Sequence, residues 1–260
     1  MVNTVLAVAV AILAAATAML ATYVVRVRGA KHGRGLLRKW PIPEIKLHDF
    51  DNRFKPCALG PDRCTEVAFV ADYQVPVGTS DFETWILANL AKTATTIFEV
   101  GTATGKTAYL LARNAPDDAK VVTLTLGPHQ LGSYREASGD SSEALKLAIQ
   151  ESRYDAFYYG GTDVEAKIEQ LFGDSKAFDE QPYAERCDLI FIDGSHAYSY
   201  VKSDTDKALR MIKPGGVILW HDYRGPRHAR DVFRALNELS RSLPLRRIKG
   251  TSLVAYRHPA

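Results

Sequence analysis

The first 25 residues, MVNTVLAVAVAILAAATAMLATYVV, contain no charged side chain, and no Asp or Glu occurs before Pro41. A run of this length and uniformity speaks against a buried core helix. A helix of about 22 of these residues spans about 33 Å, the hydrocarbon thickness of a bilayer. No Lys or Arg precedes the apolar run, which speaks against a cleaved signal peptide, although the small-residue stretch AAATA keeps cleavage open. Arg26, Arg28, Lys31, Arg34, Arg38 and Lys39 follow at once. By the positive-inside rule the expectation is a single-pass membrane anchor over 1–25 with the body in the cytoplasm, the basic cluster lying against anionic head groups.

Cysteine is scarce. Cys57, Cys64 and Cys187 form neither a C-x-x-C pair nor a finger spacing, which excludes cysteine-ligated zinc and a dithiol redox motif; free thiols without a role are expected. Excess positive charge is also absent from the body. The chain holds 33 Lys and Arg against 30 Asp and Glu; setting aside the six basic residues of 26–39 leaves 27 against 30, a net charge of −3. No nucleic-acid partner is expected on that balance.

Residues 26–80 read as a basic juxtamembrane segment followed by an irregular, Pro- and Gly-rich linker or cap, and 81–260 as the functional domain. DFETWILANLAK (81–92) places Phe82, Trp85, Ile86 and Leu90 on one helical face. Thereafter TIFEV (96–100), KVVTLTL (120–126), KIEQLFG (167–173), DLIFIDG (188–194) and GGVILWHDY (215–223) alternate with helical stretches at 106–114, 200–212 and 229–243. Continuous apolar strands separated by helices predict a doubly wound, mostly parallel α/β sheet. LRRIKG (245–250) and SLVAYRH (252–258) add an antiparallel edge hairpin, for seven strands in all. Polar residues gather where these strands end, the edge at which such sheets bind ligands.

EVGTATGKTAYLL (99–111) looks like a phosphate loop, but only three residues separate Gly101 from Gly105 where G-x-x-x-x-G-K-[ST] needs four. The dinucleotide pattern G-x-G-x-x-G fails at Ala103. What remains is Glu99-x-Gly101-x-x-x-Gly105, bare backbone at a helix N-terminus. Lys106 and Thr107 are expected only to begin that helix.

This arrangement resembles motif I of the class I S-adenosylmethionine-dependent methyltransferases, and the resemblance runs over about residues 80–258. GDS (173–175), FIDGSHAYSYVKSD (191–204), IKPGGVILWHDY (212–223) and GTSLVAYR (250–257) are similar to a bacterial branch of small-molecule and sugar O-methyltransferases. The resemblance implies a Rossmann-like fold, S-adenosyl-L-methionine as cofactor, and a hydroxyl of a sugar, glycolipid or small metabolite as acceptor. It implies Glu99, Gly101 and Gly105 at the methionine end and Asp174 at the adenine, with Thr102, Ser175 and Asp193 completing the cofactor set. It also exposes a departure: Thr125 stands where the family carries a ribose-binding carboxylate at the end of the second strand, and is expected in the cofactor set either as a single uncharged acceptor for the ribose or as a wall residue while another group takes it.

Transfer to a hydroxyl requires a base or a metal ion. His196 is the candidate base; the base position of the resembling branch falls on Ser195, next to it. Asp193, His221 and Asp222 match metal-ligand positions, with an imidazole that favours a transition metal over Mg²⁺. The segment 128–166, with Tyr158 and Tyr159, is a candidate wall of the acceptor pocket. Two rivals stand beside this reading: a P-loop-like nucleotide hydrolase, and a non-catalytic module that binds an adenosyl ligand.

Overall fold

The computed structural model describes residues 2–31, 40–74 and 78–260. The chain divides into two compact units, Met1–Pro41 and Ile42–Ala260. In the first, a single helix α1 (Val2–Lys31) carries the apolar run. Its window Val5–Val24 has a mean hydropathy of 2.4 and none of it is buried, so by length and composition it is one candidate membrane span; a signal sequence meets the same criterion. The side chains of the basic cluster at 26–39 lie outside the described residues.

The second unit is built on an eight-stranded sheet, one strand more than the sequence predicts. The additional strand, β1 (Glu44–Ile45), comes from the segment expected to be an irregular linker and pairs in parallel with β7 (Arg246–Ile248). Two residues are too short a run for periodicity to reveal. Between them, α2 (Leu47–Phe50) and α3 (Asp81–Ala91) precede β2 (Thr96–Val100), α4 (Lys106–Asn114) and β3 (Lys120–Thr125). The chain continues through α5 (Ser142–Glu151), β4 (Ile168–Phe172), β5 (Cys187–Ile192), α6 (Tyr198–Met211), β6 (Ile212–Trp220) and α7 (Arg230–Leu239), and after β7 ends with β8 (Val254–Arg257).

The strand order is β1-β7-β8-β6-β5-β2-β3-β4. Only β8 is antiparallel to its neighbours, β6 and β7; every other pairing is parallel. Winding reverses between β2 and β5, which opens a ligand crevice beyond their carboxyl ends.

The sequence explains both faces. Ile97, Val121, Leu189, Phe191 and Leu219 point to one side and pack with Leu87 of α3 and Leu111 of α4. Alternate residues Phe98 and Ile190 point to the other, where Ala208 and Met211 of α6 meet them. Helix α3 starts at a capping box: Ser80 Oγ accepts from Glu83 N, and Ser80 N donates to Glu83 Oε2 at 3.0 Å. Backbone pairing also runs past the strand ends. Gly101 N donates to Leu124 O (2.8 Å), Asp193 N to Val100 O (2.8 Å) and His221 N to Ile192 O (3.0 Å), so these three residues sit at the same edge.

Candidate active site

A cleft open to solvent lies at that edge. Of the residues the sequence names as cofactor contacts, Gly101, Thr125, Asp174, Ser175 and Asp193 line it. Three other expected cofactor contacts do not. Glu99 is fully buried, and its Oε2 accepts from the Thr123 hydroxyl at 2.5 Å. Thr102 turns inward, sharing a 2.7 Å hydrogen bond with Thr123 and accepting from Gln170 Nε2 at 3.2 Å. Tyr159 donates to Gln170 Oε1 at 2.7 Å and closes the relay. Glu99 Oε1 has no hydrogen-bond partner among the described residues. Burial, and the charge of Asp193, push the Glu99 carboxyl up to about 8 against the Thr123 hydrogen bond.

The glycines have reasons of their own. Gly101 has φ +101°, and a Cβ there would lie 2.1 Å from the Asp193 carbonyl oxygen. The close approach is therefore of β5 backbone as well as of any ligand. Gly105 caps α4 at φ +77°, and a Cβ would meet Phe157 and Tyr159 at 2.9 Å. Lys106 is buried with its Nζ 3.8 Å from Asp72, so the loop presents no lysine to a phosphate and the hydrolase alternative loses its key cation.

Beside the cleft, Asp193, His196 and Asp222 converge. One ligand atom from each lies within 4.8 Å of the others. His196 Nε2 is 2.8 Å from Asp222 Oδ2, and Arg224 Nε holds Asp222 Oδ1 at 2.7 Å. Asp222 itself has φ +60°, a left-handed conformation that Asp tolerates better than most residues. Burial opposes protonation of His196, but the Asp222 hydrogen bond and charge outweigh it and raise its pKa. The same pairing holds Asp222 well below the carboxylate range, despite its burial.

His221 takes a different place from the metal-ligand role expected of it. Both of its ring nitrogens are engaged: Nδ1 with Asp193 Oδ1 at 2.8 Å, Nε2 with Glu83 Oε2 at 3.4 Å. Its pKa rises well above the usual value, burial notwithstanding, because Asp193, Asp222 and Glu83 surround it. Glu83, which burial alone would raise, is held well below the usual range by His221, Ser80 and Ser252. His196 thus occupies the donor position that sequence matching gives to His221. Glu83 was not foreseen at the site; its S-x-x-E spacing marks a helix start and says nothing of a partner on another element.

The segment between β3 and β4 walls the cleft with Tyr134, Ala148, Glu151 and Ser152. Tyr134 OH and Ser195 Oγ are 2.7 Å apart, and Arg135 N donates to Tyr200 OH at 2.8 Å. Ala144 of α5 packs on Ala197 and Tyr200 at the start of α6. Tyr158 is exposed and Tyr159 is buried behind the glycine loop, so neither lines the cleft. Burial pushes the Glu151 carboxyl up to about 7, with His196 opposing and Asp193 and Asp222 reinforcing the rise.

Residues 98–223 match a family described as a methyltransferase domain. A comparison with curated protein sequences gives no match. Among solved structures, a candidate caffeoyl-CoA O-methyltransferase from Staphylococcus aureus superposes with a TM-score of 0.50 at 16% identity, covering 72% of this chain and 87% of its own. The O-methyltransferase TomG from Streptomyces achromogenes, solved with S-adenosylmethionine, gives 0.47 at 19% identity over 71% and 83%. An O-methyltransferase from Bacillus cereus, solved with S-adenosylhomocysteine, gives 0.47 at 19% over 70% and 84%. Identities this low speak to the fold; the domain match, on a sheet wound in this order with its glycine loop at the switch point, speaks to the family. Residues 98–223, just under half of the chain, thus match a methyltransferase domain, on a Rossmann-like fold shared with solved O-methyltransferases.

Proposed function

We propose that the chain is a membrane-anchored O-methyltransferase that transfers the methyl group of S-adenosylmethionine to a hydroxyl of a sugar, glycolipid or small metabolite. The observation that carries this reading is the His196–Asp222 pair, 2.8 Å apart, beside a cleft rimmed by Gly101 and Asp193. Bound in that cleft, the cofactor supplies an electrophilic sulfonium methyl group. Gly101 leaves room at the methionine end, and Asp174, which lines the cleft, is the acceptor for the adenine side. Glu99 acts from behind the loop, fixing Thr123 and through it Thr102, and so sets the shape of the turn. His196 takes the acceptor proton; Asp222 fixes its ring and stabilises the imidazolium. The apolar helix α1 supports placement at a membrane, with the catalytic unit on the cytoplasmic side, and such tethering suits an acceptor at the bilayer surface.

A second reading is favoured by the convergence of Asp193, His196 and Asp222 within 4.8 Å. Two carboxylates and an imidazole suit a divalent transition metal, which would lower the pKa of the acceptor hydroxyl. In that case His196 is a ligand and not the base. Titration with Mn²⁺ followed by electron paramagnetic resonance separates the two: binding lost in His196→Gln favours the metal, and no binding favours the base.

Calorimetric titration of the full chain in detergent with S-adenosylmethionine, S-adenosylhomocysteine and ATP–Mg²⁺ tests the main reading. Saturable binding of both adenosyl compounds is expected. A folded chain that binds neither overturns it. Tight binding with no transfer to any hydroxyl acceptor would make the chain a binding module.

A further inference from the structure

Three carboxylates line the cleft: Asp174, Asp193 and Glu151. Two are already engaged. Asp174 Oδ1 accepts from Lys176 N at 3.0 Å, and Asp193 Oδ1 pairs with His221 Nδ1 at 2.8 Å. Glu151, the last residue of α5, is partly buried and has no hydrogen bond to any described residue. Removing a carboxyl from water without a partner is costly, and the cost is recovered when a ligand brings donors.

The position of Glu151 is built rather than incidental. Ser141 N, at the start of α5, donates to Asp231 Oδ2 at 2.7 Å, and Ala144 and Ala148 are buried on the side of the helix that meets α6. Next to Glu151, Ser152 is buried and lines the same cleft. Across it stands Thr125, neutral, at the end of β3. An adenosyl ligand brings a vicinal diol into this space. Two hydroxyl donors match the two oxygens of one carboxylate, and a threonine hydroxyl offers neither the charge nor the fork.

We propose that Glu151 of α5, and not a residue at the end of β3, receives the ribose hydroxyls of the adenosyl cofactor. The inference rests on the methyltransferase reading and names the residue through which this chain makes good the missing strand-end carboxylate. It gives the segment between β3 and β4 a cofactor role, since that segment carries the carboxylate into the cleft.

The test is calorimetric binding of S-adenosylhomocysteine and its 2′-deoxy and 3′-deoxy analogues to the full chain in detergent. For the wild type, each lost hydroxyl is expected to weaken binding about tenfold. Glu151→Gln, which loses the charge and one of the two acceptor oxygens, should weaken S-adenosylhomocysteine by about tenfold and discriminate less against the deoxy analogues. The thermal midpoint of the variant reports folding. A wild type that binds the deoxy analogues as well as the parent overturns the proposal without any variant. So does Glu151→Gln with unchanged affinity, or with the full penalty for the missing hydroxyl. A wild type that binds no S-adenosylhomocysteine overturns the methyltransferase reading itself, and this proposal with it.

Discussion

Asp222 Oδ2 receives His196 Nε2 at 2.8 Å while the other oxygen of the same carboxylate is held by Arg224 Nε at 2.7 Å. The carboxylate is thus fixed from both sides, and the imidazole it orients has its second nitrogen free of hydrogen bonds among the described residues. His196→Gln should reduce methyl transfer by about 10²-fold or more, the usual contribution of a positioned base, and leave S-adenosylhomocysteine affinity within about twofold. Single-turnover transfer from radiolabelled cofactor checks the first, calorimetry the second. Equal losses in both would assign His196 to cofactor binding.

Glu99 makes stability depend on pH. Its folded pKa of about 8 lies above the ordinary glutamate value of 4.5, so the folded state holds the proton more tightly than the unfolded chain. The stability this confers is complete below about pH 4.5 and is lost as pH rises through about 8. Glu99→Gln keeps the neutral form. Its advantage in unfolding free energy over the wild type should grow across that window and level off above it, reaching about 2 kcal/mol or more. Parallel melting curves at pH 5, 7 and 9 read the trend; a constant offset contradicts it.

Gly101→Ala forces a Cβ to within 2.1 Å of the Asp193 carbonyl oxygen at φ +101°. A loss of about 3 kcal/mol or more in unfolding free energy is expected, from overpacking against backbone plus left-handed strain. Gly132→Ala, where no atom lies within 4 Å and φ is ordinary, should change stability by about 0.5 kcal/mol or less. Denaturant titration of the pair separates local crowding from a general intolerance of alanine.

Glu83 ties three elements together. Its Oε1 accepts from Ser252 N (2.6 Å) and Ser252 Oγ (2.7 Å), and its Oε2 accepts from Ser80 and faces His221. Glu83→Gln removes the charge opposite a buried imidazolium and should cost about 3 kcal/mol. Ser252→Ala, which leaves the backbone hydrogen bond, should cost about 1 kcal/mol. Melting temperatures that rank the two in the reverse order would show that the carboxylate is not charged in the fold.

Much of the parallel sheet is legible from the chain because its strands are continuous apolar runs and its helices keep a 3.6-residue period. β1 is not legible, since two residues carry no period. At the site, position was easier to read than direction. Asp193, His196 and Asp222 stand where the strand ends put them and meet as neighbours. Thr102 also sits on the right loop, yet its side chain turns inward to Thr123, a contact between residues 21 apart in sequence. Likewise the spacing of Gly101 suggests ligand approach, while the atom that crowds it belongs to Asp193. Glu83 and Glu151 escape sequence reading altogether: each lies on a helix whose local pattern is ordinary, and only tertiary packing brings Glu83 to His221 and Glu151 to the cleft.

Strand β8 lies between β6 and β7, and the loop that leads into it carries Ser252, the partner of Glu83. Ser252 and β8 thus complete a wall whose facing carboxylate is made 169 residues earlier in the chain. Until β8 is translated, β6 has an open edge beside His221 and Asp222, and an unpaired edge is a surface that other chains can add to. Synthesis therefore makes the surroundings of His221 before the strand that closes them.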